Sequence, residues 1–527
     1  MLAALPTLPA FVPSTPSLAP LAPLAASAAT YRSAAPAAIV DTPGRSFTET
    51  SAAPSAAPSN AAAAFASHKR GSSNSLGRTF MTFALLASSM LPLSPFAADL
   101  AAAEPPAVVA KQQQPQQQPL PTTSSIAEKA PSQQYLLFTG FPFPLGPFTE
   151  RKTVETELVK GQVYSFEQEL RLSGISANVR STVFRMRDGH LLVYNPVAPT
   201  EEFLAQLAAL DHKGVSHILL GATPYEHKVF VGPFARKFPE AKVWAVPDQW
   251  AWPLDLPGPL LGIDTKGSGG GELVDTATGS AAYASAPDLT AEFEVKLLRP
   301  PKRLGFGYAA NEAALLHKDT KTLALTDALV NVPAAPTPVY DTGNLLAIGD
   351  NAKDSNSLGN LILKGAGAVN WQGTAKNDVS QLWADAAAAP GSTADALQRG
   401  WERNVLLSLY FGPSPRSLVD PDVSFQSLKN RWVVAPVTDS LIYRSERVKP
   451  ELTRWVDDVA KWDFTLIAPS HFAAASGTAE DMRAAFKPTL AATTLQDAKA
   501  STERPYVKGD VKLLDDIAGS LIQLKII

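Results

Sequence analysis

The amino-acid composition of this chain changes sharply near residue 135, and the change limits which part of it can fold. Residues 1–70 are crowded with Ala, Ser and Pro, and their only acids are Asp41 and Glu49. Residues 104–134 form a linker rich in Gln and Pro that has too little apolar surface to build a core. We therefore expect a single globular domain over residues 135–527. Residues 333–400 are rich in Pro, Gly, Asn and Ala, which indicates an insertion in that domain.

The first 103 residues have the composition of a disordered targeting leader. An acid-poor stretch rich in Ser and Ala is typical of organelle transit peptides. A basic lead-in at 68–70 precedes an apolar run at 80–93 and the small residues Ala101–Ala103, which is the order of a secretory-type signal. Two prolines interrupt this region, and a membrane span needs about 20 predominantly apolar residues, so we expect cleavage. A transit-like stretch followed by a signal-like segment resembles the bipartite leaders that direct plastid proteins to the thylakoid lumen. A mitochondrial address and one long disordered leader with an incidental apolar patch are the alternatives.

Charge and cysteine content exclude several classes of function. The formal net charge is −3 and there is no long basic patch, so we expect no nucleic-acid partner. The chain has no cysteine and no Gly-x-Ser-x-Gly motif, so thiol nucleophiles and the serine elbow of α/β-hydrolases are absent from the sequence. Any metal ion must be held by Asp, Glu or one of only seven histidines.

Strand pairs and strand–helix–strand units recur along the globular part. Asp188-Gly189 predicts a hairpin turn, and Thr200 predicts the N-cap of a helix ending near Leu210. A buried-looking strand, Ile218–Leu220, runs into a polar turn that contains His227. This alternation fits a layered α/β domain. Further strands are predicted at 242–246, 313–317, 323–326 and 464–468, and further helices at 395–410 and 451–462.

Four residues that suit a metal ion each follow the end of a predicted strand. They are Glu226, His227, Asp327 and His471. Ligands of open α/β sheets usually lie beyond the carboxyl ends of the strands, and imidazole and carboxylate groups hold zinc at about 2.0–2.2 Å. These residues therefore predict a site for one divalent metal ion, either zinc or iron or manganese. The alternatives are a turn-capping hydrogen bond for either histidine, a capping role for the aspartate and a solvated surface position for the glutamate.

Several segments between residues 160 and 490 resemble the metallo-β-lactamase fold. They resemble more closely an uncharacterised family, a domain of unknown function in plants, algae and cyanobacteria that is distantly related to that fold. The resemblance implies an αββα sandwich with mixed sheets. The segments are TVFRMRDGHLLVYNPVAPTEEFLAQL, EHKVFVGPFARKFPEAKVWAVP, LLHKDTKTLALTDALV, GWERNVLLSLYF and DFTLIAPSHF.

The sequence departs from the metal-binding pattern of that fold. Where the fold carries the motif HxHxDH, this chain has Ala222 and Pro224, followed by Glu226 and His227. Tyr308 stands near the position of a further ligand, and Asn195 replaces a loop aspartate. Asp327 and His471 align with ligands, so the resemblance implies that one of two metal sites is dismantled and most of the other survives.

Two functions remain open. We favour a degenerate plastid protein that keeps the fold and serves in binding or assembly, with thylakoid-associated proteins as partners, because half of the ligand set is missing. The alternative is a single-metal hydrolase of an ester or phosphoester whose substrate the sequence does not identify. Among the other histidines, His212 and His217 are predicted to be surface residues. His190 and His317 lie at hairpin ends and are assigned no chemistry.

Overall fold

The computed structural model describes residues 130–136, 148–172, 174–249, 257–351, 358–365, 379, 382, 391–491 and 504–527. The predicted leader at 1–103, most of the linker at 104–134 and parts of the predicted insertion at 333–400 lie outside these residues. In the described part of the chain, no helix combines the length and the apolar character needed to cross a bilayer.

The strands of the described residues form two large sheets and two small ones. They are numbered here in chain order as β1 (Gln134–Leu136), β2 (Phe148–Glu150), β3 (Thr153–Val159), β4 (Val163–Leu172), β5 (Ile175–Arg185), β6 (Leu191–Tyr194), β7 (Val215–Leu220), β8 (Lys242–Ala245), β9 (Gly271–Glu272), β10 (Phe293–Leu298), β11 (Glu312–His317), β12 (Thr322–Ala324), β13 (Val330–Asn331), β14 (Trp432–Val433), β15 (Leu466–Ala468) and β16 (Ala475–Ser476).

Both large sheets mix parallel and antiparallel pairs. The first has the order β3-β4-β5-β6-β7-β8-β9, antiparallel from β3 to β6 and parallel from β6 to β9. The second has the order β10-β11-β12-β15-β16, in which only β12 and β15 are parallel. The small sheets pair β1 with β2 and β13 with β14. Mixed sheets of this kind confirm the predicted α/β class.

The helices lie mostly between strands and after β12. The first begins at the predicted cap, where the Thr200 side chain accepts a hydrogen bond from the Phe203 N–H. The α-helices of the described residues are Glu201–Ala209, Tyr225–Lys228, Val231–Ala235, Pro287–Glu292, Thr342–Gly349, Leu358–Gly365, Thr393–Tyr410, Pro415–Val419, Asp422–Gln426, Pro436–Thr438, Lys449–Val459, Ala479–Ala491 and Lys512–Gln523.

Three apolar clusters show that the layers are ordered αββα. Side chains of a strand alternate between the two faces of its sheet, so Leu192 and Leu191 in β6 belong to different clusters. Leu192 packs between the two sheets, with Phe293 of β10. Leu191 packs against the outer helix Glu201–Ala209, and the outer face of the second sheet packs against Trp455 in the helix Lys449–Val459. The fold is therefore the metallo-β-lactamase-like sandwich that the resemblance implies.

A fourth cluster joins helices from the last third of the chain to the segments that follow the strands. It contains Tyr340, Trp401 and Ile517, and it also contains Val330 of β13 and Phe472 just after β15. The helices of this cluster include Thr342–Gly349, Thr393–Tyr410 and Lys512–Gln523. They pack against the edge of the sandwich at which these strands end, outside its two helical layers, and we call them the second helical wall.

The prediction that His217 lies at the surface is wrong. β7 begins at Val215, earlier than the sequence pattern indicates, so His217 is a strand residue that faces the space between the sheets and is 1% exposed. Trp244 Nε1 donates to His217 Nδ1 at 3.2 Å, and His217 Nε2 lies 2.9 Å from Asp288 Oδ2. Burial lowers the pKa of His217.

Candidate metal centre

The four residues predicted to bind metal converge at one edge of the sandwich. β12 and β15 are parallel neighbours, so Asp327 and His471, which follow them, emerge at the same edge. His227 lies in the short helix Tyr225–Lys228 that follows β7. One potential ligand atom from each side chain lies within 4.8 Å of the others. We call this group the strand-end cluster; its members are Glu226, His227, Asp327 and His471.

Both histidines of the strand-end cluster approach the same oxygen atom. His227 Nε2 lies 3.3 Å and His471 Nε2 3.1 Å from Asp327 Oδ1, and the two imidazole rings have their centroids 5.0 Å apart. The other carboxylate oxygen, Asp327 Oδ2, is buried and has no hydrogen-bond partner among the described residues. Buried polar atoms nearly always have a partner, so this oxygen is the unusual feature of the cluster.

The histidines control the ionisation of the aspartate. Burial acts to raise the pKa of the Asp327 carboxyl, but the charges and hydrogen bonds of His227 and His471 outweigh it and hold that pKa well below its ordinary value. Burial in turn acts to lower the pKa of His471, and the hydrogen bond and charge of Asp327 raise it above its ordinary value. The aspartate is therefore an anion at neutral pH.

Strand β5 fixes the ring orientation of His471. His471 Nδ1 lies 2.6 Å from the backbone oxygen of Asn178. A carbonyl oxygen only accepts, so Nδ1 carries the hydrogen and Nε2 is the atom that faces Asp327. Histidine ligands of metal ions commonly donate their other ring N–H in this way, which fixes the tautomer.

A buried ion pair holds the loop that carries His471. Arg180 Nε donates to Glu167 Oε1 at 3.1 Å, and its terminal nitrogens donate to the backbone oxygens of Pro469 and Phe472. The Asn178 side chain donates to the Phe472 oxygen at 3.0 Å and accepts from the Phe472 N–H at 2.6 Å. Phe472 has a φ of 57°, a conformation that a bulky residue rarely adopts, so these bonds stabilise a strained backbone.

The segment that carries Asp327 is held by Glu312, which sequence reasoning missed. Glu312 Oε1 accepts hydrogen bonds from the N–H groups of Thr326, Asp327 and Ala328 at 2.8, 3.1 and 3.1 Å. Burial, with the charge of Asp327, raises the pKa of Glu312 to about 8. The sequence signal that could have identified Glu312 is an acidic residue at the start of a mainly apolar strand, EAALLH.

Asn195 joins the ends of both sheets. Its Nδ2 donates to Thr326 Oγ1 at 3.0 Å and to Ser470 Oγ at 2.9 Å, and its Oδ1 accepts from the Gly221 N–H at 2.8 Å. A φ of 49° places it in the left-handed region, which asparagine tolerates better than most residues. The structure therefore gives Asn195 a connecting role between the loops of the cluster.

A cavity of about 320 Å³ opens beside the strand-end cluster. Glu226, Asp327 and His471 line it together with Ala222 and Pro224. Neither of these last two side chains can donate an electron pair to a metal ion.

A second group of potential ligands lies at the other end of the sandwich. Glu292, His317 and Asp319 also offer ligand atoms within 4.8 Å of one another, and we call them the arginine-capped cluster. Arg187 Nε donates to Asp319 Oδ2 at 2.7 Å, a second bond from Arg187 reaches Asp319 Oδ1, and the Arg187 N–H donates to Glu292 Oε2 at 2.9 Å. His317 Nδ1 pairs with Thr320 Oγ1 at 2.7 Å. Burial lowers the pKa of His317 to about 4.

Comparison with known proteins identifies the family. The model of a family described as a domain of unknown function (DUF4336) matches residues 160–420 and 418–487, which is more than half of the 527 residues. The chain belongs to this family. No curated protein matches the sequence significantly.

Solved structures with a related fold are distant in sequence. The chain is similar to the Flv1 flavodiiron core of Synechocystis sp. PCC6803, with 10% identity and a TM-score of 0.33 over 65% of this chain and 62% of that one. It is similar to the DIM-1 metallo-β-lactamase exposed to ceftazidime, with 7% identity and a TM-score of 0.28 over 64% and 97% of the two chains. It is also similar to a metallo-β-lactamase from Pontibacter korlensis, with 14% identity and a TM-score of 0.24 over 37% and 83%. These values are too low to transfer the chemistry of any of the three to this chain.

Proposed function

We propose that this member of the DUF4336 family is a single-metal hydrolase whose divalent ion is held by the strand-end cluster. The observation that carries the proposal is the environment of Asp327. Two imidazoles share its Oδ1 atom, whereas its buried Oδ2 atom has no hydrogen-bond partner among the described residues. A cation between these side chains would satisfy the second oxygen and replace the hydrogen bonds to the first.

The chemistry of the donor set fits a divalent metal. Two imidazoles and two carboxylates are ligands that zinc accepts, and iron and manganese accept them as well. A divalent ion bound there would polarise a substrate carbonyl and lower the pKa of a water molecule.

The residues around the cluster keep its donors in place. The Asn178 carbonyl holds His471 in the tautomer whose Nε2 is a ligand atom, and Glu312 fixes the backbone on both sides of Asp327. The neighbouring cavity gives a substrate access to Glu226 and His471.

A binding or assembly role without hydrolysis is the second candidate. The presence of Ala222 and Pro224 on the cavity wall favours it, because a two-metal site of the kind found in the parent fold cannot form there. A protein that binds one ion and hydrolyses neither p-nitrophenyl acetate nor p-nitrophenyl phosphate would have this second function.

Elemental analysis of the purified protein tests the metal site. We expect one divalent ion per chain in the wild type and none in the His227→Ala and His471→Ala variants. His190→Ala is the matched control, because His190 is partly exposed and its ring pairs with the nearby Asp188, far along the chain from the strand-end cluster. A wild-type protein without metal whose stability does not respond to added zinc, iron or manganese would contradict the proposal.

We also propose that the protein is directed to the plastid, where thylakoid-associated proteins would be its partners. The composition of residues 1–103 supports this address. N-terminal sequencing of the mature protein should find a start shortly after Ala103. A start near residue 70 would show that the apolar run is retained and that the lumen is the wrong destination.

A further inference from the structure

The cavity beside the strand-end cluster has walls that are mainly apolar. Side chains from both the sandwich and the second helical wall contribute to it. These include Leu170, Val330, Leu409, Phe411, Val437 and Ile442. Its volume, about 320 Å³, lies at the lower end of the range in which small-molecule sites are found.

Three acidic residues and one histidine, His471, are the ionisable groups nearest the metal-binding end of this cavity. Glu226, Glu312 and Asp327 line it, and none of the described residues that line it is a lysine or an arginine. Proteins that recognise phosphate generally use arginine, lysine or a helix N-terminus to bind its oxygens. A bound divalent ion would be the only cation there to offset a phosphate dianion, and the mainly apolar walls favour an uncharged substrate.

Phe411 marks the side of the cavity that is open to solvent. It follows the helix Thr393–Tyr410, lines the cavity and is 39% exposed. Its φ of 59° is a left-handed conformation, which is strained for an aromatic residue. Strained residues concentrate at ligand sites, and an exposed aromatic ring beside apolar walls can contact an apolar ligand.

We propose that this cavity binds an uncharged carboxylic ester, with the carbonyl group beside the strand-end cluster and the apolar acyl chain between Phe411 and Val437. This proposal rests on the proposed function. Hydrolysis adds one water molecule across the acyl C–O bond. The water oxygen joins the acyl carbon, one proton goes to the departing alcohol, and the acid that forms releases the other proton.

Substrate chemistry is tested with the metal-loaded protein and p-nitrophenyl esters. We expect kcat/KM to be about 10-fold or more higher for the octanoate than for the acetate, because the additional methylene groups become buried. We expect no turnover of p-nitrophenyl phosphate. Equal rates for acetate and octanoate, or faster cleavage of the phosphate, would overturn the proposal.

A binding measurement separates this proposal from the metal site. The neutral fluorescent probe N-phenyl-1-naphthylamine should bind the wild type both with and without metal, and Val437→Asp should abolish its binding. A protein that contains its metal but does not bind the probe overturns the inference and leaves the proposed function standing. A protein that takes up no zinc, iron or manganese but binds the probe overturns the proposed function and supports the apolar ligand.

Phe411→Gly distinguishes a ligand contact from a structural role. Glycine removes the strain of the left-handed backbone, so we expect an unchanged or higher Tm but about 3-fold to 10-fold weaker probe binding. Lys525→Gly is the matched control, because Lys525 is exposed, has a φ of 57° and does not line the cavity. If both variants bind the probe as the wild type does, Phe411 does not contact the ligand and the proposed position of the acyl chain is wrong.

Discussion

The strand-end cluster and the arginine-capped cluster contain the same kinds of side chain but differ in what neutralises the carboxylates. Both lie at the ends of strands, and β11 connects them, with Glu312 at one end and His317 at the other. In the arginine-capped cluster both carboxylate oxygens of Asp319 accept hydrogen bonds from Arg187. In the strand-end cluster the Oδ1 atom of Asp327 faces two histidines, and its Oδ2 atom has no hydrogen-bond partner among the described residues.

We infer from this comparison that proximity of His, Asp and Glu does not by itself make a metal site. An arginine already supplies the positive charge and the directed donors that a metal ion would supply. The environment of the carboxylate therefore decides between an ion pair and a metal site, and variants of the two clusters can test this.

The largest expected effect comes from replacing the central aspartates. Asp327→Asn should weaken zinc binding by more than about 100-fold, because it removes a charged ligand from the strand-end cluster. Asp319→Asn should leave zinc affinity unchanged, since Arg187 already occupies that carboxylate. Isothermal titration of both variants with zinc checks this prediction. Equal losses of affinity in the two variants would remove the distinction between the clusters.

A smaller loss of affinity is expected when the support of His471 is weakened. Asn178→Ala removes the side-chain bonds to Phe472 and keeps the backbone carbonyl that binds His471. We expect zinc affinity to fall by about 10-fold, as is common for residues that position ligands.

Asn404→Ala is the matched control for this prediction. Asn404 makes two buried hydrogen bonds to the backbone of Ser176 in the same strand, at 2.8 and 2.7 Å, and does not contact the His471 loop. Both variants should lose about 1–3 kcal/mol of unfolding free energy in chemical denaturation. An equal decrease in zinc affinity in Asn404→Ala would mean that general destabilisation, and not positioning, is responsible.

The two clusters should respond to pH in opposite senses in the metal-free protein. Burial lowers the pKa of His317 from 6.5 to about 4. Between these two pH values the unfolded chain binds more protons than the folded protein, so the free energy of unfolding decreases as the pH falls. Asp327 raises the pKa of His471 above 6.5. The contribution of His471 to the stability of the folded protein is therefore complete below pH 6.5, and it is lost as the pH rises through the raised pKa.

Chemical denaturation across this pH range measures both contributions. His317→Phe should be less sensitive to acid than the wild type, and the phenyl ring can pack beside Phe184 and Phe293, which His317 contacts. His471→Gln should remove the loss of stability on the alkaline side. If plots of unfolding free energy against pH run parallel to that of the wild type for both variants, neither histidine titrates as inferred.

The smallest effect is expected for the arginine itself. Arg187 and Asp319 are partly exposed, so Arg187→Ala should change the unfolding free energy very little. If the arginine is what prevents metal binding, this variant should bind a second zinc ion weakly, at millimolar concentration, in equilibrium dialysis. Binding of one ion only would show that another feature, such as the exposure of Asp319, excludes the metal.

The sequence was sufficient to predict the residues of the strand-end cluster because they follow recognisable strands. β11 lies close to its predicted bounds of 313–317, and Asp327 and His471 follow strands that the pattern also indicates. Only seven histidines had to be considered. The alternation of strands and helices predicted a layered α/β domain, and the resemblance to the metallo-β-lactamase fold implied the αββα order.

What the sequence could not predict depends on contacts between distant segments. Glu167 and Arg180 are cross-strand neighbours of β4 and β5, but the bonds from Arg180 to the loop at 469–472 join residues almost 300 positions apart. The spacing of Phe230, Phe234 and Phe238 suits one continuous helix, whereas the structure has two short helices that end at Lys228 and Ala235. Periodicity reports which side chains face the core and does not report where the backbone changes direction.

The central claim is that one metal ion lies among the four side chains of the strand-end cluster. Anomalous diffraction from a crystal of the wild-type protein soaked in zinc tests it most directly. We predict a single strong peak at about 2.0–2.2 Å from donor atoms of Glu226, His227, Asp327 and His471. A peak only in the arginine-capped cluster, or no peak at either cluster, would contradict the account.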